Sequence, residues 1–365
     1  MFMRENTRAI NVGGVKIGGG SKISVQSMTN KDTRDVEATV AQIKSLEEAG
    51  CDIVRVAVLD MDAAEAIGKI VNKIHIPLVA DIHFDYRLAL KCIESGADKI
   101  RLNPGNIGDE ERVKAVVKAA KERHIPIRIG INGGSLEKGL LEKYGGVTPE
   151  AMVESAIGHI EILEKMDFED IAISLKSSTV KKTVDAYKLM AEKRNYPLHV
   201  GVTEAGTVYG GTIKSAAGIG AILLEGIGDT IRVSLTGDPV EEIKAGKSLL
   251  RALELDKNTY EFISCPTCGR TKVNLIEIAT KVEKGLEELD KKGFFTSPIT
   301  VAVMGCAVNG PGEAKAADIG LAGGDGCALM FESGEIKGKL FGEDIAEQFI
   351  EKVKEYYGRI SAHKN

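Results

Sequence analysis

Three cysteines in the last third of the chain have the type and spacing for metal chemistry. Cys265-Pro266-Thr267-Cys268-Gly269-Arg270 is a C-x-x-C in which proline and glycine turn both sulfurs toward one point, and Met304-Gly305-Cys306 supplies a third. A structural zinc site would want four Cys or His ligands, and between His199 and His363 there is no histidine. A thioredoxin-like pair would open a helix in a βαβ unit and leave the third cysteine idle. A radical-type cluster would need three cysteines in one short loop. A four-iron cluster on three thiolates remains, with its fourth ligand open between Cys327, which begins the apolar run Cys327 to Phe331, and Glu313, carried by the Gly310-Pro311-Gly312 turn. An exchangeable oxygen on one iron would suit chemistry on a substrate better than simple electron transfer.

A second set of reactive types lies in short β-branched runs. In Arg101-Leu102-Asn103, Arg128-Ile129-Gly130-Ile131-Asn132, Ser174-Leu175-Lys176 and Arg232-Val233-Ser234, polar residues alternate with apolar ones, and Arg55 and the pair Asp81 and His83 repeat the pattern. Gathering Arg55, Arg101, Arg128, Lys176 and Arg232 around one lumen demands an anion, since only Asp81 and Glu204 are expected to oppose them. A diphosphate suits several converging cations, because guanidinium groups grip phosphate oxygens in pairs. His83, two residues from Asp81, reads as a substrate contact, whereas His75, His124 and His159 read as structural, and Cys51 and Cys92 as small core residues.

The elements that must position these groups are eight strand-like runs separated by amphipathic stretches. The runs are Ile23 to Thr29, Ile53 to Val58, Leu78 to His83, Lys99 to Asn103, Ile127 to Asn132, Ile171 to Lys176, His199 to Glu204 and Ile231 to Thr236. Helices are expected at Val36 to Ala49, Arg112 to Arg123, Pro149 to Met166 with Thr148 as its cap, and Pro239 to Leu255. Eight βα units predict an α/β fold, a (β/α)8 TIM-type barrel with its polar strand face at the C-terminal mouth. The glycines at 13, 14 and 18 to 20 precede the first strand, the wrong order for a dinucleotide loop, and predict a hairpin at the barrel bottom. After a polar linker at Asp256 to Tyr260, a small α+β iron-sulfur domain is expected, with helices at Val273 to Leu289 and Gly342 to Tyr357 and strands at Ile299 to Met304 and Cys327 to Glu332. The expected division is 1–255 for the anion-binding barrel and 256–365 for the cluster domain.

At 365 residues the chain can bury a full core, and a net charge of -5 gives no global attraction to nucleic acid or acidic membranes. The longest apolar run, Ala216 to Leu224, is too short to span a bilayer, and Met1 to Ile10 carries charges where a signal peptide would need an apolar core. Cytoplasm is the expected compartment, and there six cysteines read as thiols rather than disulfides.

With these motifs in view, the sequence resembles the 4-hydroxy-3-methylbut-2-enyl diphosphate synthase family of the methylerythritol phosphate route to isoprenoids. The resemblance spans essentially the whole chain and rests on Val25-Gln26-Ser27-Met28-Thr29, Asp81-Ile82-His83-Phe84, Arg101-Leu102-Asn103-Pro104-Gly105, the C-x-x-C run above, and Met304-Gly305-Cys306-Ala307-Val308-Asn309-Gly310-Pro311-Gly312-Glu313. The short passage from the eighth strand to Cys265 matches the two-domain bacterial form. The resemblance implies reductive opening of 2-C-methyl-D-erythritol 2,4-cyclodiphosphate, with ferredoxin or flavodoxin as electron donor and one 4Fe-4S cluster per chain. It implies that Arg55, Arg101, Arg128, Asn132, Lys176 and Arg232 hold the diphosphate, with Asp81, His83, Asn103, Thr203 and Ser234 beside them. It also implies that Glu204 donates a proton and that Asn309 orients substrate; Glu313 is expected as the fourth ligand beside Cys265, Cys268 and Cys306. A homodimer is expected, its active site shared between chains, because the last barrel helix returns the linker to the face opposite the mouth. Three rival readings are a cluster-dependent hydro-lyase, which needs no electrons, an electron carrier, which has no use for a charged lumen, and a redox-free barrel enzyme with zinc in its tail.

Overall fold

The computed structural model describes residues 3–256, 259–306 and 316–362. Two compact units divide it, Met1–Leu255 and Asp256–Asn365. The first opens with an antiparallel hairpin, β1 (Ile10–Val12) and β2 (Val15–Ile17). Eight parallel strands follow: β3 (Ser24–Met28), β4 (Ile53–Ala57), β5 (Leu78–Asp81), β6 (Lys99–Arg101), β7 (Ile127–Asn132), β8 (Ile171–Lys176), β9 (His199–Val200) and β10 (Thr230–Ile231). Their order, β8-β7-β6-β5-β4-β3-β10-β9, is that of a barrel with one seam, between β8 and β9.

That seam is held by few groups. A single parallel bridge joins Ile173 to Leu198, and Ile173 N–H donates to Pro197 O at 3.0 Å. Tyr187, fully buried on the helix Val180–Lys193, reinforces it: its hydroxyl accepts from Leu175 N–H at 3.1 Å and donates to His199 O at 2.5 Å. One phenol therefore replaces ladder bonds that the short β9 cannot make.

The predicted runs at His199 to Glu204 and Ile231 to Thr236 are corrected to two-residue strands. The ladder stops where the absence of a side chain at Gly201 brings its backbone against Arg232 O; a Cβ there would sit 2.5 Å from that carbonyl and 2.9 Å from Lys176 Nζ. Beyond it, Glu204 adopts φ +53, a left-handed conformation no strand residue takes.

Side chains on opposite strand faces sort as alternation demands. Val54, Val56, Ile100, Leu102, Ile129, Ile131, Ile173 and Leu175 pack outward in the main hydrophobic core beneath the helices. Inward, Ile53, Val79 and Ala172 meet Ile10, Val12 and Ile17 of the hairpin, which thus plugs the N-terminal end of the barrel as expected. Helices that leave the mouth begin on acceptor side chains: Asp35, Asp60, Asp85, Asp109, Thr148 and Asp238 each accept from a backbone N–H of the first turn.

The second unit is a five-stranded sheet ordered β11 (Tyr260–Ser264), β12 (Ile299–Met304), β13 (Ile319–Gly324), β14 (Cys327–Glu332) and β15 (Glu335–Leu340), the first three parallel and the rest antiparallel. The helices Leu275–Lys291 and Ile345–Ala362 bury Val282, Leu286, Phe349 and Val353 against Val301, Val303, Ile319 and Leu321. On the other face Phe331 fills the space over Gly320, where a Cβ would lie 2.1 Å from the ring. The expected linker is corrected at its end: Tyr260 is buried and opens β11.

Candidate active site

The inward polar faces of the barrel strands bring the predicted cations together below and around the mouth. Asp81 on β5 is the shared counter-ion: Arg101 Nη1 lies 3.4 Å from it, His83 Nε2 3.6 Å and Arg55 Nε 3.9 Å. Burial pushes the pKa of that carboxyl up, but Arg55, the hydrogen bond from His83, Arg101 and Arg128 outweigh it and hold Asp81 ionised, below the usual carboxylate range. Arg55 also donates to the thioether of Met28, from Nε at 3.1 Å and Nη2 at 2.9 Å. The Arg101 guanidinium donates to Gly130 O at 2.9 Å and fits only because Gly130 has no side chain, whose Cβ would be 2.6 Å from Nε. Asn103 uses its amide on the same glycine, accepting from Gly130 N–H at 2.9 Å and donating to its carbonyl at 3.1 Å, so it clamps β7 to β6.

Arg128 is 1% exposed, with Nη1 donating to Ser174 Oγ at 2.6 Å while Nε and Nη2 have no hydrogen-bond partner. Burial first, then Arg55 and Arg101, depress its basicity well below the ordinary value, and Lys176 at the end of β8 is depressed in the same way by burial, Arg232 and Arg128. Arg55 is lowered to about 10 by burial, against the pull of Asp81. This is the signature of a cation cage lacking enough negative charge of its own.

The opposing carboxylates differ from the expectation. Glu204 is exposed, lining a cleft of about 510 Å³ with Asn132, Thr203, Ser177 and Lys182, whereas Glu242, on the helix Pro239–Ala252, is 4% exposed and faces the cage. Arg232 Nε lies 3.4 Å from Glu242, which also accepts from Ser27 Oγ at 2.7 Å and from Leu235 N–H at 3.0 Å. Ser234, half-buried, follows Arg232 on the same strand extension. Thr203 N–H donates to Ser177 O at 3.3 Å, which sets the turn that presents Glu204 at φ +53.

Sequence reasoning missed Glu242 and three inward residues one layer deeper, Gln26, Lys99 and His199, each 0–1% exposed. The signal for Lys99 was present: it stands two residues before Arg101, a recognised inward position, and so shares its face.

In the second unit, β11 and β12 are parallel neighbours, with Ser264 opposite Val303, so Cys265 and Cys306 both follow strand ends on the C-terminal side of the sheet. Gly305 N–H donates to Cys265 Sγ at 3.2 Å, and Lys272 N–H to Gly305 O at 2.9 Å folds the C-x-x-C loop against the same turn. Cys268 is exposed, its thiol held below the ordinary range by the Arg270 backbone and side chain. Two half-buried thiols and one exposed thiol on adjoining turns, with a backbone N–H aimed at sulfur, are donors of the kind iron-sulfur clusters use. Cys327 is buried at the start of β14, and Cys51 and Cys92 are buried in the barrel with thiols pushed up to about 12, all three as expected of core residues. Asn309 and Glu313 lie outside the described residues, and among the described residues no group of three or more metal-binding side chains is preassembled. His159 accepts from Gly105 N–H at 3.1 Å and is structural.

A barrel with a cation-lined mouth, joined to an α+β unit bearing three thiols at one end, defines the class: a TIM-barrel enzyme for an anionic substrate. The chain belongs to the GcpE family; residues 7–247 match its GcpE TIM-barrel domain and residues 261–355 its GcpE protein C-terminal domain. It is 64% identical over 352 residues to the 4-hydroxy-3-methylbut-2-en-1-yl diphosphate synthase (flavodoxin) of Ruminiclostridium cellulolyticum, covering 96% of this chain and 98% of that protein. Proteins of the same name from Clostridium perfringens and Geobacter sulfurreducens are 62% and 57% identical, each over 96% of this chain and 99% and 98% of their own length. No described helix is long and apolar enough to cross a membrane.

Proposed function

We propose that this chain catalyses the reductive ring opening of 2-C-methyl-D-erythritol 2,4-cyclodiphosphate to 4-hydroxy-3-methylbut-2-enyl diphosphate in isoprenoid biosynthesis. The observation that carries the reading is the cage of the buried Arg101, Arg128 and Lys176 with the half-buried Arg55 and Arg232, whose cationic groups outnumber the carboxylates of Asp81 and Glu242. A cyclic diphosphate carries one negative charge on each phosphorus and would supply what the cage lacks. Asn132, Ser234 and Thr203 would bond its remaining oxygens, while Asp81, within 4 Å of Arg55, Arg101 and His83, would keep those three oriented.

Starting from the dianion, the reaction consumes two electrons and one proton and gives a trianionic diphosphate and water, so a proton donor is needed at the mouth. Glu204, presented into the cleft by its left-handed turn, is that donor. Cys265, Cys268 and Cys306, with Glu313 as fourth ligand, would hold one 4Fe-4S cluster per chain, and Asn309 would orient substrate beside it. That cluster, when bound, supplies electrons singly. Flavodoxin, named for the relatives, or ferredoxin is the external donor, in a cytoplasmic setting that suits six free thiols.

We also propose a homodimer in which the thiols of one chain serve the barrel of its partner. The helix Pro239–Ala252 runs back antiparallel to β10 for about 21 Å and ends at the barrel bottom. Exposed apolar side chains at the mouth, Leu59 and Phe84 on loops and Tyr209 in the first turn of the helix Val208–Leu224, suit a covering surface. Mixing an Arg128→Ala chain with a Cys306→Ser chain, each inactive alone, is expected to restore reductive turnover to about a quarter of wild type per protomer, because half the dimers are mixed and each has one intact site. Verified mixed dimers without activity would refute the shared site.

A further inference from the structure

Below the cage lies a cation that the function proposed above does not use. Lys99 is 1% exposed and stands inside the barrel on β6, two residues before Arg101 and so roughly 7 Å deeper. Strand register places Arg55, Val79 and Lys99 side by side across β4, β5 and β6. The charged groups that act on it are of its own sign, Arg128 from β7 and Arg55 from β4, and the fully buried His199 on β9 feels Lys99 together with Lys176 from β8, which in turn feels Arg232 beyond β10. The one carboxylate of the barrel interior, Asp81 on β5, is taken up by Arg55, Arg101 and His83, while Glu242 lies on Arg232. From β3 comes the uncharged Gln26, whose amide atoms have no hydrogen-bond partner, and from beneath the apolar hairpin.

We propose that Lys99 is the group through which the barrel takes up a proton when its anionic ligand binds, an amine in the free protein and an ammonium in the complex. This deepens the diphosphate reading and rests on it. An ammonium without a carboxylate, desolvated and surrounded by guanidinium groups, is disfavoured; burial, then Arg128 and Arg55, lower Lys99 to about 7. Two negative charges arriving at the row above reverse the sign of the local field. The amine then regains its proton, and its charge adds to the attraction that holds the ligand. Lys99 does not touch the reacting atoms; it is a positioning residue whose charge is switched by occupancy.

The sign of the coupling is fixed. Below pH 7 Lys99 is already protonated and binding takes up nothing from it. Above pH 7 it is neutral in the free protein, so binding consumes a proton and affinity falls as pH rises. Each phosphorus of the cyclodiphosphate carries a single, strongly acidic hydroxyl, so the ligand does not titrate in this range.

The test is calorimetric titration of the oxidised holoenzyme, without electron donor, with 2-C-methyl-D-erythritol 2,4-cyclodiphosphate in buffers of different ionisation enthalpy. Wild type is expected to take up at least about one proton per site at pH 8.5, and Kd to rise at least roughly tenfold from pH 8 to pH 9. Lys99→Arg, which keeps the charge over this range, is expected to lower the uptake by about one proton, whatever the depressed Lys176 contributes, and to bind more tightly than wild type at pH 9. Lys99→Met is expected to lower the uptake by the same amount and bind weakly throughout. Binding by wild type without proton uptake, or with uptake unchanged in both variants, overturns the inference alone. Failure of wild type to bind at any pH overturns the diphosphate reading and the inference with it.

Discussion

Replacing Arg128 with alanine is expected to lower kcat/KM or substrate affinity by roughly a hundredfold, about 3 kcal/mol, while leaving iron and sulfide content at the wild-type level. The side chain is 1% exposed, and two of its three guanidinium nitrogens lack a hydrogen-bond partner in the free protein, so its donors are held ready for the ligand. Effects on the fold should be much smaller. Deleting the stem leaves a cavity, but it also removes a desolvated charge opposed by Arg55 and Arg101, and the two changes have opposite signs. Titration calorimetry with the cyclodiphosphate, run beside thermal unfolding of ligand-free protein, separates them. Normal binding by a folded variant would sink the account of the cage.

The second large effect concerns the thiol site. Glu313→Ala is expected to change the visible and electron-paramagnetic spectrum of the cluster and to abolish turnover. Cys327→Ser, by contrast, should retain iron, sulfide and most activity. The reason for the contrast is that Cys327 is a buried first residue of β14, its Sγ about 3.3 Å from where a Cβ on Gly324 would lie, and so it has a packing role. Glu313 offers a hard oxygen seven residues after Cys306 in the sequence, directly after Gly310-Pro311-Gly312. Metal analysis and spectra of the two anaerobically purified variants decide it. The reverse ranking, or zinc in place of iron, would remove the carboxylate ligand from the account.

The barrel was legible because each strand carries its own period: Ile127–Asn132 and Ile171–Lys176 are found with the predicted bounds, polar side inward. Where the chain departs from the period, the reading departed too. Gly201 and the left-handed Glu204 end a strand whose residue types look continuous, because closeness to Arg232 O is a tertiary fact. The strand Ile319–Gly324 was unread because its glycines mimic a loop, and their purpose, room for Phe331 over Gly320, lies on another strand. Glu335–Leu340 is a largely exposed edge strand with little apolar signal. The thiol motif was legible from spacing alone, since a C-x-x-C and a distant cysteine stand out in the sequence, and the parallel neighbours β11 and β12 end side by side just before Cys265 and Cys306. Glu242 was not: its neighbour Glu241 is just as acidic, and both sit in a first helical turn where acids are ordinary. Only the seating of that helix on β3 and Arg232 selects Glu242 as the partner of the cage.

The central claim is that the charged lumen and the thiol site serve one reductive reaction. It is tested most directly by incubating anaerobically purified, cluster-loaded protein with 2-C-methyl-D-erythritol 2,4-cyclodiphosphate and following products by mass spectrometry, with and without reduced flavodoxin. The account predicts 4-hydroxy-3-methylbut-2-enyl diphosphate and water in proportion to the electrons supplied, two per molecule, and no product without reductant. Product formed equally in the absence of any electron donor, or none formed by loaded protein under full reduction, would contradict it.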